Sequence, residues 1–492
     1  MAINFTYYPE SNRVPGVYVE MDPSQANSGQ ALQRSLILGQ MLSTGTATAE
    51  IAVEIESMVQ VQQLFGRGSM LEQMVQNYLK GDDFGDLWVL PFADNVAGQA
   101  ATADIDFEGT CTIPGTMNLY IGGINVQVGV NLNDDAAAIA SNVNAAINAN
   151  KMLVVTSAHT AASSSVQLAA NHKGECGNDI DIRFNYLGPL GGEYMPQGIQ
   201  ATITAFSGGT GNPQIQNGLA NLSDQTYDFI CSPYTDTANL DAMEAFLADY
   251  QGRWSWEQML YGGCFSAYRG TLGELTAFGT VRNDQHMSVM GFGDSPDPAW
   301  VWAAQVTGYC AASLRVDPGL PLQYMTTQLK APPVASRLDI GERNTLLYDG
   351  VSTFRVNDAG AVVIERMCTT YQHNAAGAAD NSYLDVETMF GLMYVARDLT
   401  NYLLTRYARK KLVSNATPVL PGSNCVTAAM IQASTVAEYK VLEQNGYVQN
   451  SAAFARNIVT EDAGSGLVKI LAPVDLVNQL RQIAILLQFR KS

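Results

Sequence analysis

Cysteine, histidine and carboxylate side chains are the residues of this chain that could do chemistry, and their spacing offers little. The seven cysteines, Cys111, Cys176, Cys231, Cys264, Cys310, Cys368 and Cys425, stand singly, with no CxxC pair and no Cys/His spacing suited to zinc. They read as buried reduced thiols, with an intermolecular disulfide open to Cys111 or Cys176. The four histidines, His159, His172, His286 and His373, fall in different segments. One nucleophile–base pair can be drawn, Cys264 with His286, both near strand ends in an α/β-patterned stretch. A core cysteine and a surface histidine are the expectation for that pair, and Gly262-Gly263 before it reads as a close backbone contact rather than an oxyanion loop. There is no GxxxxGK[ST] phosphate loop, HExxH, EF-hand loop or GxSxG elbow. No catalytic, cofactor-binding or metal-binding residue is therefore assigned, and the pattern is that of a structural protein rather than an enzyme.

The more informative elements lie at the two ends. In Val14-Pro15-Gly16-Val17-Tyr18-Val19-Glu20, Val17 and Val19 share one strand face, and Tyr18 and Glu20 take the other. Near the C-terminus, Ile483, Ile485, Leu487 and Phe489 form an apolar stripe with the strand period of two. Such strands need a partner for their backbone donors and acceptors. If that partner is another copy, one strand at each end lets subunits be linked into a lattice.

Length and charge bound the rest. At 492 residues the chain should form two to four domains. Mean hydropathy near zero fits a globular protein, and apolar runs such as 483–487 are far shorter than the roughly 20 residues that span a bilayer. Residues 1–8 have neither the basic start nor the apolar stretch of a secretory signal, so production and assembly in a cytoplasm are expected. Net charge is −19, yet residues 397–492 hold 11 Lys and Arg against 6 Asp and Glu, which leaves −24 on residues 1–396. An acidic body disfavours nucleic acid as a partner, while the basic section could dock on an acidic protein.

Patterning divides the chain. Residues 1–30, polar and proline-punctuated, read as an extended arm; 31–96 contain buried strands at 35–39 and 87–90 and helices at 59–64 and 70–78. Residues 97–212 turn rich in Ala, Gly, Thr, Ser and Asn, with short strand runs, a helix at 134–148 and a hairpin signal at Gly122-Gly123, as in an inserted, mainly β domain. Residues 213–335 alternate strand and helix as in a parallel α/β unit. Residues 336–470 offer a hairpin, 351–356 with 361–368, a long amphipathic helix at 385–412 and another at 427–445. Residues 471–492 form a C-terminal arm. The fold class is thus mixed α/β.

These features together are similar to the tail sheath proteins of contractile bacteriophages, in particular the Mu-like branch. The resemblance rests on the motif at 14–20 and on Tyr120-Ile121-Gly122-Gly123 through Asn171-His172-Lys173-Gly174 and Gly177-Asn178-Asp179-Ile180. It continues in Arg282-Asn283-Asp284, Trp302-Ala303-Ala304, Asp317-Pro318, Pro321-Leu322-Gln323 and Leu476-Val477-Asn478-Gln479-Leu480-Arg481. It implies a sheath core built from N- and C-terminal segments, with the β domain inserted on the outside. It also implies subunits stacked in rings around an inner tail tube, meeting baseplate and tail terminator proteins, without nucleic acid, cofactor or membrane insertion. Contraction would drive the tube through the host envelope, and the protein would reside in the virion. Neighbours would stay joined by arm strands, Val17, Tyr18, Val19 and Glu20 at one end and Ile483, Ile485, Leu487 and Phe489 at the other. Residues 21–30 and 460–466 would act as hinges. The expected strand acceptor is the hairpin carrying Val351, Phe354, Val356, Val362 and Ile364, because a two-stranded sheet alone is marginal. Arg406, Arg409, Lys410 and Lys411 could face an acidic tube, or simply complement a helix C-terminus. The rival readings are the sheath of an R-type bacteriocin or a type VI secretion-like machine and, more remotely, an α/β enzyme with an added β domain.

Overall fold

Uniformly apolar runs such as Leu36-Ile37-Leu38 suit strands buried on both faces, and they become the centre of a parallel sheet. The computed structural model of the protein describes residues 33–490. Six strands run in the order Met287–Phe292, Gly263–Arg269, Phe229–Cys231, Arg34–Gln40, Asp86–Phe92, Val53–Glu54. All neighbours are parallel except the short last strand. One face packs Ile37, Val89, Phe229 and Phe265 against the helices Met70–Tyr78 and Ala299–Val316. The other packs Leu36, Leu38, Leu90 and Ile230 against the helix Thr237–Leu247. Strands expected in two separate pieces, 31–96 and 213–335, are therefore hydrogen-bonded into one sheet, and the boundary drawn between those pieces is crossed by it.

Between Phe92 and Phe229 the chain makes an excursion with sheets of its own. One is four-stranded and antiparallel, in the order Gln197–Ser207, Ala100–Ile113, Ser165–Lys173, Val155–Ala158. The other is three-stranded, Ile124–Val130, Gly115–Ile121, Ile182–Phe184. Gly122 and Gly123, at φ +53° and +80°, make the two-residue turn between Ile121 and Ile124, the left-handed pair that a tight hairpin requires. The helix Ala136–Ala149, capped by Asp135, buries Ile139, Ala140, Val143 and Ile147 against these sheets.

The joint between insert and sheet uses residues of the resemblance motif. His172 accepts a hydrogen bond from the Met70 N–H at Nε2 (3.0 Å) and lies 3.0 Å from Asp94 through Nδ1. Asp94 also accepts from the Lys173 N–H and the Gln40 side chain. Burial alone would raise the Asp94 carboxyl, but these donors more than offset it and hold it below the usual carboxylate range. Asn171 donates to the carbonyls of Gly68 and Leu153.

The long helix, Val386–Tyr407, docks on the sheet through Phe390, whose ring stacks on Phe229 and Phe265 at 5.2 and 6.1 Å. Gly263 makes room for that ring, since a Cβ there would lie 3.1 Å from it, and at Gly262 a Cβ would strike the Tyr227 carbonyl. The expected close backbone contact is what the structure has. Further along the helix, Arg397 reaches fully buried Asp228 at 2.6 Å. Burial pushes that carboxyl up and Arg397 counters it. Arg397→Met should therefore destabilise the protein by about 3–5 kcal/mol in chemical denaturation, through the stranded carboxylate, and adding Asp228→Asn should restore much of the loss.

His286 is a second buried charge site, and a correction to its expected place on the surface. Burial disfavours its charged form, but Asp249 at 3.2 Å and Asp284 at 3.3 Å outweigh that and raise its pKa above the ordinary value of 6.5. A raised folded-state pKa contributes stability below about pH 6.5, which is lost as pH rises through the folded value. His286→Gln should thus lower the melting temperature more at pH 5.5 than at pH 9, measured by calorimetry.

Candidate functional site

The drawn Cys264–His286 pair does not form a nucleophile and base. Cys264 is buried and burial pushes its thiol well above the usual range, while the His286 ring is taken by two carboxylates. The cavity they line holds about 10 Å³, room for one water. Five of the seven thiols are buried, Cys111 among them; Cys176 and Cys425 are half-buried, and all seven are free. Among the described residues, no group of three or more His, Cys, Asp and Glu is placed to hold a metal ion. No helix among them is long and apolar enough to cross a membrane.

What the structure leaves open is backbone and apolar surface at the C-terminal end. Residues 482–490 belong to no sheet, and Ile483, Ile485, Leu487 and Phe489 are 74%, 75%, 85% and 90% exposed. No strand among the described residues pairs with this segment, and Leu486 between the stripe residues is as exposed as they are. The N-terminal arm residues Val17, Tyr18, Val19 and Glu20 lie outside the described residues, as do the expected hinge at 21–30 and the arm itself.

The expected acceptor hairpin is differently employed. Its strands are Thr353–Val356 and Val362–Arg366, and the second pairs on its other side with Met325–Thr326, so the sheet has three strands. Ser352 is bridged to Met290 at the edge of the parallel sheet. Val351, Val362 and Ile364 are buried, and half-buried Phe354 packs on the Trp302 ring at 4.7 Å. Val356 is half-buried as well. These side chains build the core, which removes the premise that this hairpin is short of a strand.

A different hairpin fits that premise. Val459–Asp462 and Val468–Leu471 form an antiparallel pair to which no other described strand is hydrogen-bonded. Its inner face sets Ile470 against a small apolar cluster with Tyr439, Leu442, Phe454 and Ile458. Its outer face leaves Val459 and Leu471 more than half exposed, opposite one another. The span 460–466, expected as a hinge, is thus strand and turn, and Gly464, Ser465 and Gly466 supply the positive φ values of the turn. The sequence signal is weak because each strand has only four residues and half-buries just one or two of them.

The basic cluster is also reshaped. The long helix ends at Tyr407 rather than at residue 412, so only Arg406 lies in its last turn. Lys411 begins a two-residue strand paired with Cys425–Val426, and Lys410 reaches the carbonyl of Ser423 and the Asn424 side chain. Arg406, Arg409, Lys410 and Lys411 are all exposed at this tip.

Comparison with known proteins places these features. Residues 208–370 match the family described as phage tail sheath protein central domain. The chain is 36% identical over 493 aligned positions to the tail sheath protein of the Mu-like prophage FluMu of Haemophilus influenzae, covering 99% of this chain and 100% of that protein. Among solved structures, it is similar to the sheath tail protein of Desulfitobacterium hafniense (TM-score 0.48, 14% identity, 94% of this chain and 97% of that one). It is also similar to the helical sheath of the anti-feeding prophage in its contracted state (TM-score 0.47, 12% identity, 98% and 100%). The full-length relationship to the prophage protein favours neither the secretion-like alternatives nor an enzyme, and the chain belongs to the phage tail sheath proteins as a structural subunit of the sheath.

Proposed function

We propose that this subunit polymerises as stacked rings around the inner tail tube and contracts to drive the tube through the host envelope, with a structural rather than catalytic role. The observation that carries the reading is a C-terminal stripe at least 74% exposed, together with a hairpin open-edged among the described residues, in a chain related over its full length to a tail sheath protein. In this reading the terminal hairpin, Val459–Asp462 with Val468–Leu471, is the acceptor. Each of its outer edges can take one strand, residues 17–20 of one neighbour and 483–489 of another, which gives a four-stranded sheet of three chains. It replaces the central hairpin as the preferred site because both of its edges are unpaired among the described residues. Baseplate and terminator proteins would cap the polymer, which assembles in the host cytoplasm and resides in the virion.

The apolar stripe gives the direct test. Ile485 and Leu487 touch little within their own chain, so Ile485→Asp with Leu487→Asp should leave the melting temperature nearly unchanged, as for exposed sites where effects stay within about 0.5 kcal/mol. The same variant should form no tubes under the electron microscope where the unaltered protein does. Long regular tubes from the variant refute the strand-exchange reading.

The basic tip supports a weak contact with an acidic tube surface, screened enough by salt to let go on contraction. Changing Arg406, Arg409, Lys410 and Lys411 together to Glu should abolish co-assembly with the tube. Unchanged binding assigns them to the helix end and its loop alone.

A further inference from the structure

The C-terminal segment is tied down along a stretch that ends abruptly at one residue. Asp475 is a hub: its carbonyl accepts from the Gln449 N–H (2.8 Å), its N–H donates to the Tyr439 hydroxyl (2.9 Å), and Asn450 bonds its carboxylate. Leu476 bridges to Val448, and the Val477 N–H donates to the Tyr447 carbonyl at 3.3 Å. Gln323 then holds the Leu480 carbonyl at 3.0 Å. Arg481 is the final tie, with Nη2 2.9 Å from Glu387 and 3.1 Å from Asp385. From Ile483 onward the large apolar side chains are exposed.

Two features set the Arg481 contact apart from a routine ion pair. First, its carboxylates are committed to the place. Asp385 occupies the N-cap position of the long helix yet makes no capping bond; its side chain is held instead by Arg366, through Nε at 2.9 Å and Nη2 at 3.1 Å. Fully buried Glu387 accepts the Leu322 N–H. Two arginines and two carboxylates balance to zero, and without Arg481 one buried carboxylate lacks its countercharge. Second, Arg366 makes directed hydrogen bonds, whereas the buried nitrogens of Arg481 make none among the described residues. Arg481 is held by charge at short range rather than by aligned N–H groups; as it leaves, its guanidinium recovers hydration, which offsets part of the cost of the carboxylate left behind.

We propose that Arg481 is the positioning residue that fixes the root of the C-terminal arm, and that its release lengthens the arm available to a neighbouring subunit. With the tie closed, residues 482–490 reach at most about 30 Å; once it opens and the Leu480 and Val477 bonds behind it follow, residues 477–490 reach about 45 Å. The proposal rests on the strand-exchange reading for its purpose, but the tie itself can be measured on the single chain.

The test is hydrogen exchange by mass spectrometry on the full-length protein, kept dilute enough to remain unassembled. Arg481→Met should raise exchange in 477–482 at least tenfold and leave the strands of the parallel sheet unchanged, and Arg481→Lys, which keeps the charge, should fall between. Where Arg481→Met alone fails to fold, the pair Arg481→Met with Glu387→Gln removes the stranded carboxylate and is expected to give the same rise. Equal exchange in the variants and the unaltered protein overturns the proposal. A second arm compares tubes: loosened, irregular ring spacing in Arg481→Met supports a positioning role, and spacing identical to the unaltered protein refutes it. Absence of tubes from the unaltered protein would instead count against the sheath reading, and the exchange result would still decide the tie.

Discussion

The pairing of strand Arg34–Gln40 on both of its edges is the constraint from which the rest of this architecture follows. Its neighbours are Asp86–Phe92 on one side and Phe229–Cys231 on the other, so residues separated by the whole insert are joined by a single ladder. Parallel pairing requires a crossover, and here the longest crossover carries two sheets of its own. Once the two ends of that excursion are fixed by the sheet, the insert is held at its exit and return. Asp94, directly after one sheet strand, gathers His172 and Lys173 from the insert with hydrogen bonds to each. The helix bearing Phe390 and Arg397 then covers the end of the sheet, which carries the C-terminal segment to the same body.

How much of this was legible depended on how strongly each segment's residues agree with one state. The strands at 34–40 and 86–92, buried on both faces, gave near-continuous apolar runs, and the Gly122-Gly123 turn left one conformation. The strand Ala100–Ile113 leaves a faint trace at its start, because its inward residues there are Ala101 and Ala103, too small to mark a face. The ladder across the insert could not be read at all, since periodicity reports a strand but not its partner. The arm residues that would exchange were legible as a stripe, whereas their acceptor was not. A central hairpin with good apolar residues drew the assignment because burial in its own core and readiness for a guest look alike in sequence. Gly464-Ser465-Gly466 suggested a hinge for the same reason that it makes a good turn, its freedom at positive φ.

Arg481 shows a further limit of sequence reading. Its partners Asp385 and Glu387 lie about a hundred positions away, and nothing in the spacing joins them. Even Asp385, which a capping analysis would assign to its helix, proves to serve the arginines. Ion pairs that cross segments depend on the tertiary fold, and so they appear only once it is known.

The energetics of one exchanged strand explain why a structure of this kind would need many. Burying the four side chains Ile483, Ile485, Leu487 and Phe489 is worth about 6–12 kcal/mol at about 1.5–3 kcal/mol each. Ordering the seven residues from 483 to 489 costs about 7–14 kcal/mol at 1–2 kcal/mol per residue. A few backbone hydrogen bonds at about 1 kcal/mol net each leave a single joint near balance. Such a joint opens readily in isolation. In a ring, however, an arm that detaches remains tethered close to its acceptor, so rebinding is an intramolecular event at high effective concentration. The tether length then matters as much as the contacts, because effective concentration falls when the span exceeds what the linker reaches. A subunit that kept its arm short at rest and longer under tension would hold its neighbour in two geometries with one set of contacts. The position of Arg481, after the last backbone tie and just before the apolar stripe that starts at Ile483, is where such a control has to sit.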